Sequence, residues 1–190
     1  MTPLAAAIPD PDALLAEILR RCTNPSSFIH GPGHWRGVAH AGLRLAQRTP
    51  EADATVVLLF ALFHDSMRLD DGHDPQHGPR AAEFARTLHG SHFHLPPDRL
   101  KWLLLAIRDH TEGRLAPNPT VACCWDADRL NLWRIHVRPD PKYLSTPAAQ
   151  EPEAIDWAGR LEGQGMRWGE IFEGYHAAEV AARAAAGEAP

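Results

Sequence analysis

The chain of 190 residues carries 19 Lys+Arg against 24 Asp+Glu, a formal net charge of -5. Its length suits one domain with its own hydrophobic core, and a mildly acidic balance without a basic block argues against a nucleic-acid or anionic-membrane surface as its main business. No stretch approaches the roughly 18 apolar residues of a membrane span, no basic-then-apolar leader opens the sequence, and Cys22, Cys123 and Cys124 make no disulfide framework, so the chain reads as cytoplasmic.

Strand signals are nearly absent and the fold class is read as all-α, a single domain over 1–190 with about seven or eight helices. The spacing predicts a first helix from about Asp10 to Arg21, with Leu14, Leu15, Ile18 and Leu19 inward and Asp10 or Asp12 near its start. The prolines and glycines of TNPSSFIHGPG delay the second helix until about His34, after which Val38, Ala41 and Leu45 recur at helical spacing. A third, EADATVVLLFALFHD, is apolar all round from Val56 to Phe63, which marks a helix buried on every side. In PRAAEFARTLHG, Pro79 suits a first turn and Gly90 a C-terminal cap. Pro96 to His110 forms the next helix, VACCWDADRLNLWRI the one after, and two C-terminal helices follow at about 151–163 and 166–186, the last Ala-rich and prone to fray.

Polar residues on apolar stripes carry the functional signal, because an unpaired buried polar group costs about 1–3 kcal/mol. His34 precedes Val38, Ala41 and Leu45 by 4, 7 and 11 positions, and His77 stands in the same relation to Ala81, Phe84 and Leu88. His110 ends the stripe of Leu100, Leu103 and Ile107; Asp128 lies within that of Val121, Cys124, Leu132 and Ile135. Asp126, about 200° round from Asp128, points elsewhere. With His64 and Asp65 at the end of the buried helix, four histidines and two aspartates stand at or near inward helix ends. Such nitrogen and oxygen donors suit a divalent transition metal, Mn, Fe, Zn, Co or Ni. A single histidine at a helix end is more often a cap or a satisfied core residue; six positions that would each need separate compensation favour metal.

The ordered set His34, His64-Asp65 and Asp128, in the contexts HWRGV, ALFHDS and DADRLN, resembles the HD-domain superfamily of metal-dependent phosphohydrolases, over about residues 28–136. The resemblance implies a helical bundle, one metal held by His34, His64, Asp65 and Asp128, and, as in some branches, a second held by His77 and His110 with Asp65 bridging. It also implies hydrolysis of a phosphate ester or anhydride, in a nucleotide or another small phosphorylated substrate, by metal-activated water. Ser66-Met67-Arg68 replaces the acidic residues that follow the HD pair in alarmone hydrolases and in helical deoxynucleotide 5′-nucleotidases. No GYP element is present, and Asn131 stands where DADRLD closes on aspartate, which puts any supporting role there in doubt.

Arg68 is the candidate for holding a phosphate through its forked donors, against the alternative of a surface arginine paired with Asp70 or Asp71. Those two aspartates are candidates for orienting the water, against a solvated turn. His30 reads as a loop residue at the cleft entrance, and His89, His92 and His94 as a solvated connection. Cys123 and Cys124 read as buried small residues, and Trp35, Trp125 and Trp133 as core. A di-iron oxygenase of the same fold and a non-catalytic metal or nucleotide sensor are the other classes in play. No membrane or nucleic-acid partner is expected, and homo-oligomerisation is left open.

Overall fold

The computed structural model describes residues 7–161 and 167–185. These form α1 (Pro11–Arg21), α2 (Pro32–Arg48), α3 (Ala54–Phe63), α4 (His77–Leu88), α5 (Pro97–Asp109) and α6 (Pro119–Leu130), two 3-10 turns (Asn131–Ile135 and Pro141–Tyr143), then α7 (Pro147–Gln150), α8 (Pro152–Leu161) and α9 (Trp168–Ala185). The architecture is all-α, and the extra element beyond the eight foreseen is the four-residue α7. The foreseen ends at 162–163, 166 and 186 lie outside the described residues. No described helix is long and apolar enough to cross a membrane.

The helix starts follow their caps. Asp10 accepts from the Ala13 amide at 2.9 Å, and Asp53 accepts from the amides of Thr55 and Val56. The second helix begins earlier than foreseen, because Pro32 occupies its first turn, where a missing N–H costs nothing. Gly31 precedes it where a Cβ would meet the Ser27 carbonyl at 2.3 Å. Similarly α4 begins at His77 rather than at Pro79, while Gly90, at φ 89°, follows its end.

Every residue of α3 from Thr55 to Phe63 is buried. Each large apolar side chain so placed contributes about 1.5–3 kcal/mol. This helix is the axle of the bundle, with α1, α2, α4, α5 and α6 all packed on it. Leu19, expected inward, is 36 % exposed, because the face of α1 that meets the core narrows to Leu14, Leu15 and Ile18.

The sixth helix stops at Leu130, where a continuous helix to Ile135 was foreseen. From Asn131 the chain tightens to three residues per turn, which rotates later side chains off the 3.6-residue stripe. Leu132 is therefore only half-buried and Ile135 is 40 % exposed. Cys123, Cys124, Trp35 and Trp125 are buried, and Trp133 packs partly buried against the core. His89 is not solvated: it is half-buried, and its Nε2 lies 3.1 Å from the Leu95 amide, stapling the connection.

Candidate metal centre

Five elements deliver polar side chains to one place. His34 sits in the first turn of α2, above buried Val38, Ala41 and Leu45. His64 caps the C-terminus of α3 and Asp65 follows it, in a turn closed by Ser66, whose amide and hydroxyl both donate to the Phe63 carbonyl. His77 opens α4, His110 caps α5, and Asp128 lies in the last turn of α6. The four histidines and Asp65 are buried, while the Asp128 side chain is 21 % exposed.

The donor atoms form two groups that share Asp65. In the first, His34 Nε2 lies 3.0 Å from His64 Nε2, 3.4 Å from Asp65 Oδ2 and 3.2 Å from Asp128 Oδ1. His64 Nε2 is 3.5 Å from Asp65 Oδ2 and 3.9 Å from Asp128 Oδ1. In the second group, His77 Nε2 is 2.9 Å from His110 Nε2 and 3.2 Å from Asp65 Oδ1, which lies 3.6 Å from His110 Nε2. Donors held about 2.0–2.2 Å from one ion stand about 3.0–3.6 Å apart in octahedral or tetrahedral arrangement. His34, His64 and Asp65 have that size, as do Asp65, His77 and His110, while Asp128 fits it toward His34 and stands wider, at 3.9 Å, from His64.

The ring tautomers explain why these contacts call for a cation. His64 Nδ1 donates to the Ala61 carbonyl at 3.2 Å, His110 Nδ1 to the Ile107 carbonyl at 2.8 Å, and His77 Nδ1 to the Asp74 carbonyl. His34 Nδ1 meets Asn131 Oδ1 at 2.7 Å. A carbonyl oxygen only accepts, so each neutral ring carries its proton on Nδ1 and presents a bare Nε2 lone pair. Two lone pairs 3.0 Å apart repel unless a proton or a metal ion stands between them. Burial pushes His64 down to about 3, so its ring is neutral at ordinary pH. For His34 and His110, burial opposes charge, yet the facing carboxylates of Asp128 and Asp65 leave both rings raised. Burial likewise opposes ionisation of Asp65 and Asp128, but the surrounding imidazoles hold both carboxyls well below their usual range. His34, His64 and Asp65, and again Asp65, His77 and His110, can each hold a metal ion.

Of the further sequence candidates, Arg68 reaches the site and the two aspartates beside it do not. Its side chain is 12 % exposed, with Nε on the Asp70 carbonyl and Nη2 on the Gly72 carbonyl. Its Nη1 lies 3.2 and 3.3 Å from the two ring nitrogens of His77 and 4.0 Å from Asp65 Oδ1. It meets the backbone of Asp70 rather than the Asp70 or Asp71 carboxylate that was the alternative. Asp70 caps its own turn on the Gly72 amide, and Asp71 accepts from Ser27 Oγ at 2.5 Å and pairs with His30 at 2.9 Å. Both aspartates fasten exposed loops. His30, in its loop, stands edge-on to His34 with ring centroids 6.4 Å apart.

Four contributions escape sequence reasoning. Asn131, met in the sequence only as a departure, supplies the oxygen that orients His34. Gly37 makes room for it, since a Cβ there would meet Asn131 Nδ2 at 2.4 Å. Gly78 lets α4 touch α5, since its Cβ would meet the Arg108 and Ile107 carbonyls at 2.6 and 2.9 Å. Thr111 places its hydroxyl 3.3 Å from His77 Nε2. Asp126 does point away from the centre, as foreseen, and is fully buried under the amides of Ser145 and Thr146 and the Thr146 hydroxyl.

Compared with family models, with curated proteins and with solved structures, the chain matches none. The functional reading therefore stands on the donors themselves.

Proposed function

We propose that the protein is a metal-dependent phosphohydrolase of the HD-domain type, acting on a phosphate ester or anhydride of a nucleotide or similar small molecule. One observation carries the reading: the two carboxylate oxygens of Asp65 face separate imidazole pairs, Oδ2 toward His34 and His64, Oδ1 toward His77 and His110. That is the role the ordered set of histidines and aspartates gives the second residue of the HD pair when two ions are bound.

A bound divalent ion supplies a Lewis acid and lowers the pKa of its water from 15.7 toward about 7. The chain's own groups do the rest. His34, His64, Asp65 and Asp128 would hold one ion; His77, His110 and Asp65 a second. The carbonyls of Ala61, Asp74 and Ile107, with Asn131 Oδ1, keep the imidazole protons on Nδ1 and the lone pairs inward. Arg68, held by two backbone carbonyls, keeps one guanidinium nitrogen at the edge of the site for an anionic oxygen.

The test is a metal-supplemented panel of phosphomonoesters, phosphodiesters and nucleotides with the wild type and Asp65→Ala. Wild type should release phosphate or a nucleotide product, and Asp65→Ala should lose turnover with an unchanged helical circular dichroism spectrum. Undiminished turnover in that variant overturns the reading. The same bridged set of donors also fits two irons in an oxygenase. Iron-loaded protein that consumes O2 with a candidate substrate and hydrolyses nothing in the panel would replace hydrolysis with that reaction.

A further inference from the structure

His77 Nε2 is overcommitted. Within 3.3 Å it meets Asp65 Oδ1, His110 Nε2, Arg68 Nη1 and the Thr111 hydroxyl. Its Nδ1 donates to the Asp74 carbonyl, so Nε2 has one lone pair to give. That lone pair cannot serve a metal ion and the Thr111 hydroxyl at once, while Arg68 Nη1, 3.2 and 3.3 Å from the two ring nitrogens, stands over the ring rather than on the lone pair. The contacts of both donors with the ring are also long, 3.2 and 3.3 Å for Arg68 Nη1 and 3.3 Å for Thr111 Oγ1, against about 2.7–2.9 Å for a well-made charge-assisted hydrogen bond. Once an ion takes the lone pair, the Thr111 hydroxyl loses its His77 partner, and Arg68 Nη1 has Asp65 Oδ1 at 4.0 Å, beyond hydrogen-bond reach. Thr111 is exposed, so the pair borders solvent rather than the core. Arg68 cannot swing away to satisfy itself, because Nε and Nη2 are tied to the carbonyls of Asp70 and Gly72. A fixed cationic donor and a neutral one, both at His77 beside a metal site, suit two oxygens of a tetrahedral oxyanion.

We propose that Arg68 Nη1 and Thr111 Oγ1 together form an oxyanion subsite beside the His77–His110 half of the centre and hold the phosphoryl group there. The assignment deepens the phosphohydrolase reading and rests on it for the identity of the ligand. It adds Thr111, for which no sequence signal exists, and it puts the phosphoryl group on the side of the bridge away from Asp128.

The test is orthophosphate binding to manganese-loaded protein by calorimetry, with metal content measured for each variant and hydrolysis assayed alongside. Thr111→Val should keep its metal, bind phosphate about tenfold more weakly and raise KM more than it lowers kcat. Thr111→Ser should restore both. Arg68→Lys, which keeps the charge but not the fork, should weaken phosphate binding as well. Wild-type phosphate affinity in Thr111→Val with metal intact overturns the subsite, as does failure of the wild type to bind phosphate. Loss of metal by both Thr111→Val and Arg68→Lys assigns the two side chains to steadying His77 and also overturns it. A wild type that binds phosphate through Thr111 but hydrolyses no ester keeps the subsite and removes the hydrolase.

Discussion

The support beneath His34 is a single amide. Asn131 Oδ1, 2.7 Å from Nδ1, fixes both the tautomer and the ring plane of a donor that has no backbone carbonyl to do so, unlike His64, His77 and His110. Groups in this position typically alter metal affinity by 10–100-fold. Asn131→Ala should therefore weaken metal binding by about that factor with little loss of stability, whereas Asn131→Asp, which keeps an acceptor, should stay near wild type. A chelator-competition titration reads the difference. His34, His77, His110 and Asp128 were legible in sequence as polar residues on apolar stripes, and His64 and Asp65 as the polar end of a helix apolar all round; the four histidines and Asp65 are buried, Asp128 only partly. Asn131 was not, because it lies past the point where α6 tightens and the period that located Asp128 no longer applies.

Between elements, glycine sets the spacing. With Cβ contacts of 2.6 and 2.9 Å against backbone carbonyls of α5, Gly78 cannot gain a methyl unless α4 moves. Because His77 precedes it and His110 follows the α5 carbonyls it touches, that movement separates the two imidazoles of the second group. Gly78→Ala should cost about 1–3 kcal/mol, as overpacking does. It should also lower metal stoichiometry toward one ion per chain. Thermal melting and elemental analysis check the two halves of this prediction, and a variant that keeps two ions at wild-type stability contradicts it. Periodicity along one helix foretold that α3 would be buried all round, and it is. It carries no information about how closely two helices approach, and for that reason Gly78 read only as part of HGPRAA.

For the molecule as a whole, the centre is a clasp. Its donors come from α2, the end of α3, α4, the end of α5 and α6, so an ion bound there ties together elements that the core already packs around α3. A ligand at 100 times its dissociation constant adds about 2.7 kcal/mol to the folded state. In a chain of this size that is worth about 5–10 °C. Chelation should lower Tm by that amount at pH 8, and the gap should narrow as pH falls. The sign comes from His34 and His110. Raised rings stabilise the metal-free fold fully below about 6.5, and that contribution is lost as pH climbs through their raised values. Metal needs both rings neutral, so the proton competes at low pH and is released on loading. Asp65, Asp128 and His64 do not enter this window, because the first two stay ionised and the last stays neutral far below it. Melts with and without chelator across pH 6–8 check it; a gap that widens on acidification contradicts it.

The directions in which the helices enter also set the field at the centre. The N-termini of α2 and α4 and the C-termini of α3, α5 and α6 converge there. At about half a charge each, these ends nearly cancel and leave about -0.5 beside the two carboxylates. With His34 and His110 neutral the metal-free pocket thus repels a phosphate oxygen, and one divalent ion brings it only close to neutral. A second ion turns it positive by about 1.5 charges, to which Arg68 adds. Occupancy of the His77–His110 half would then convert a cation trap into an anion trap, and a protein half-loaded with metal would admit an anionic ligand poorly even with the first ion fully coordinated.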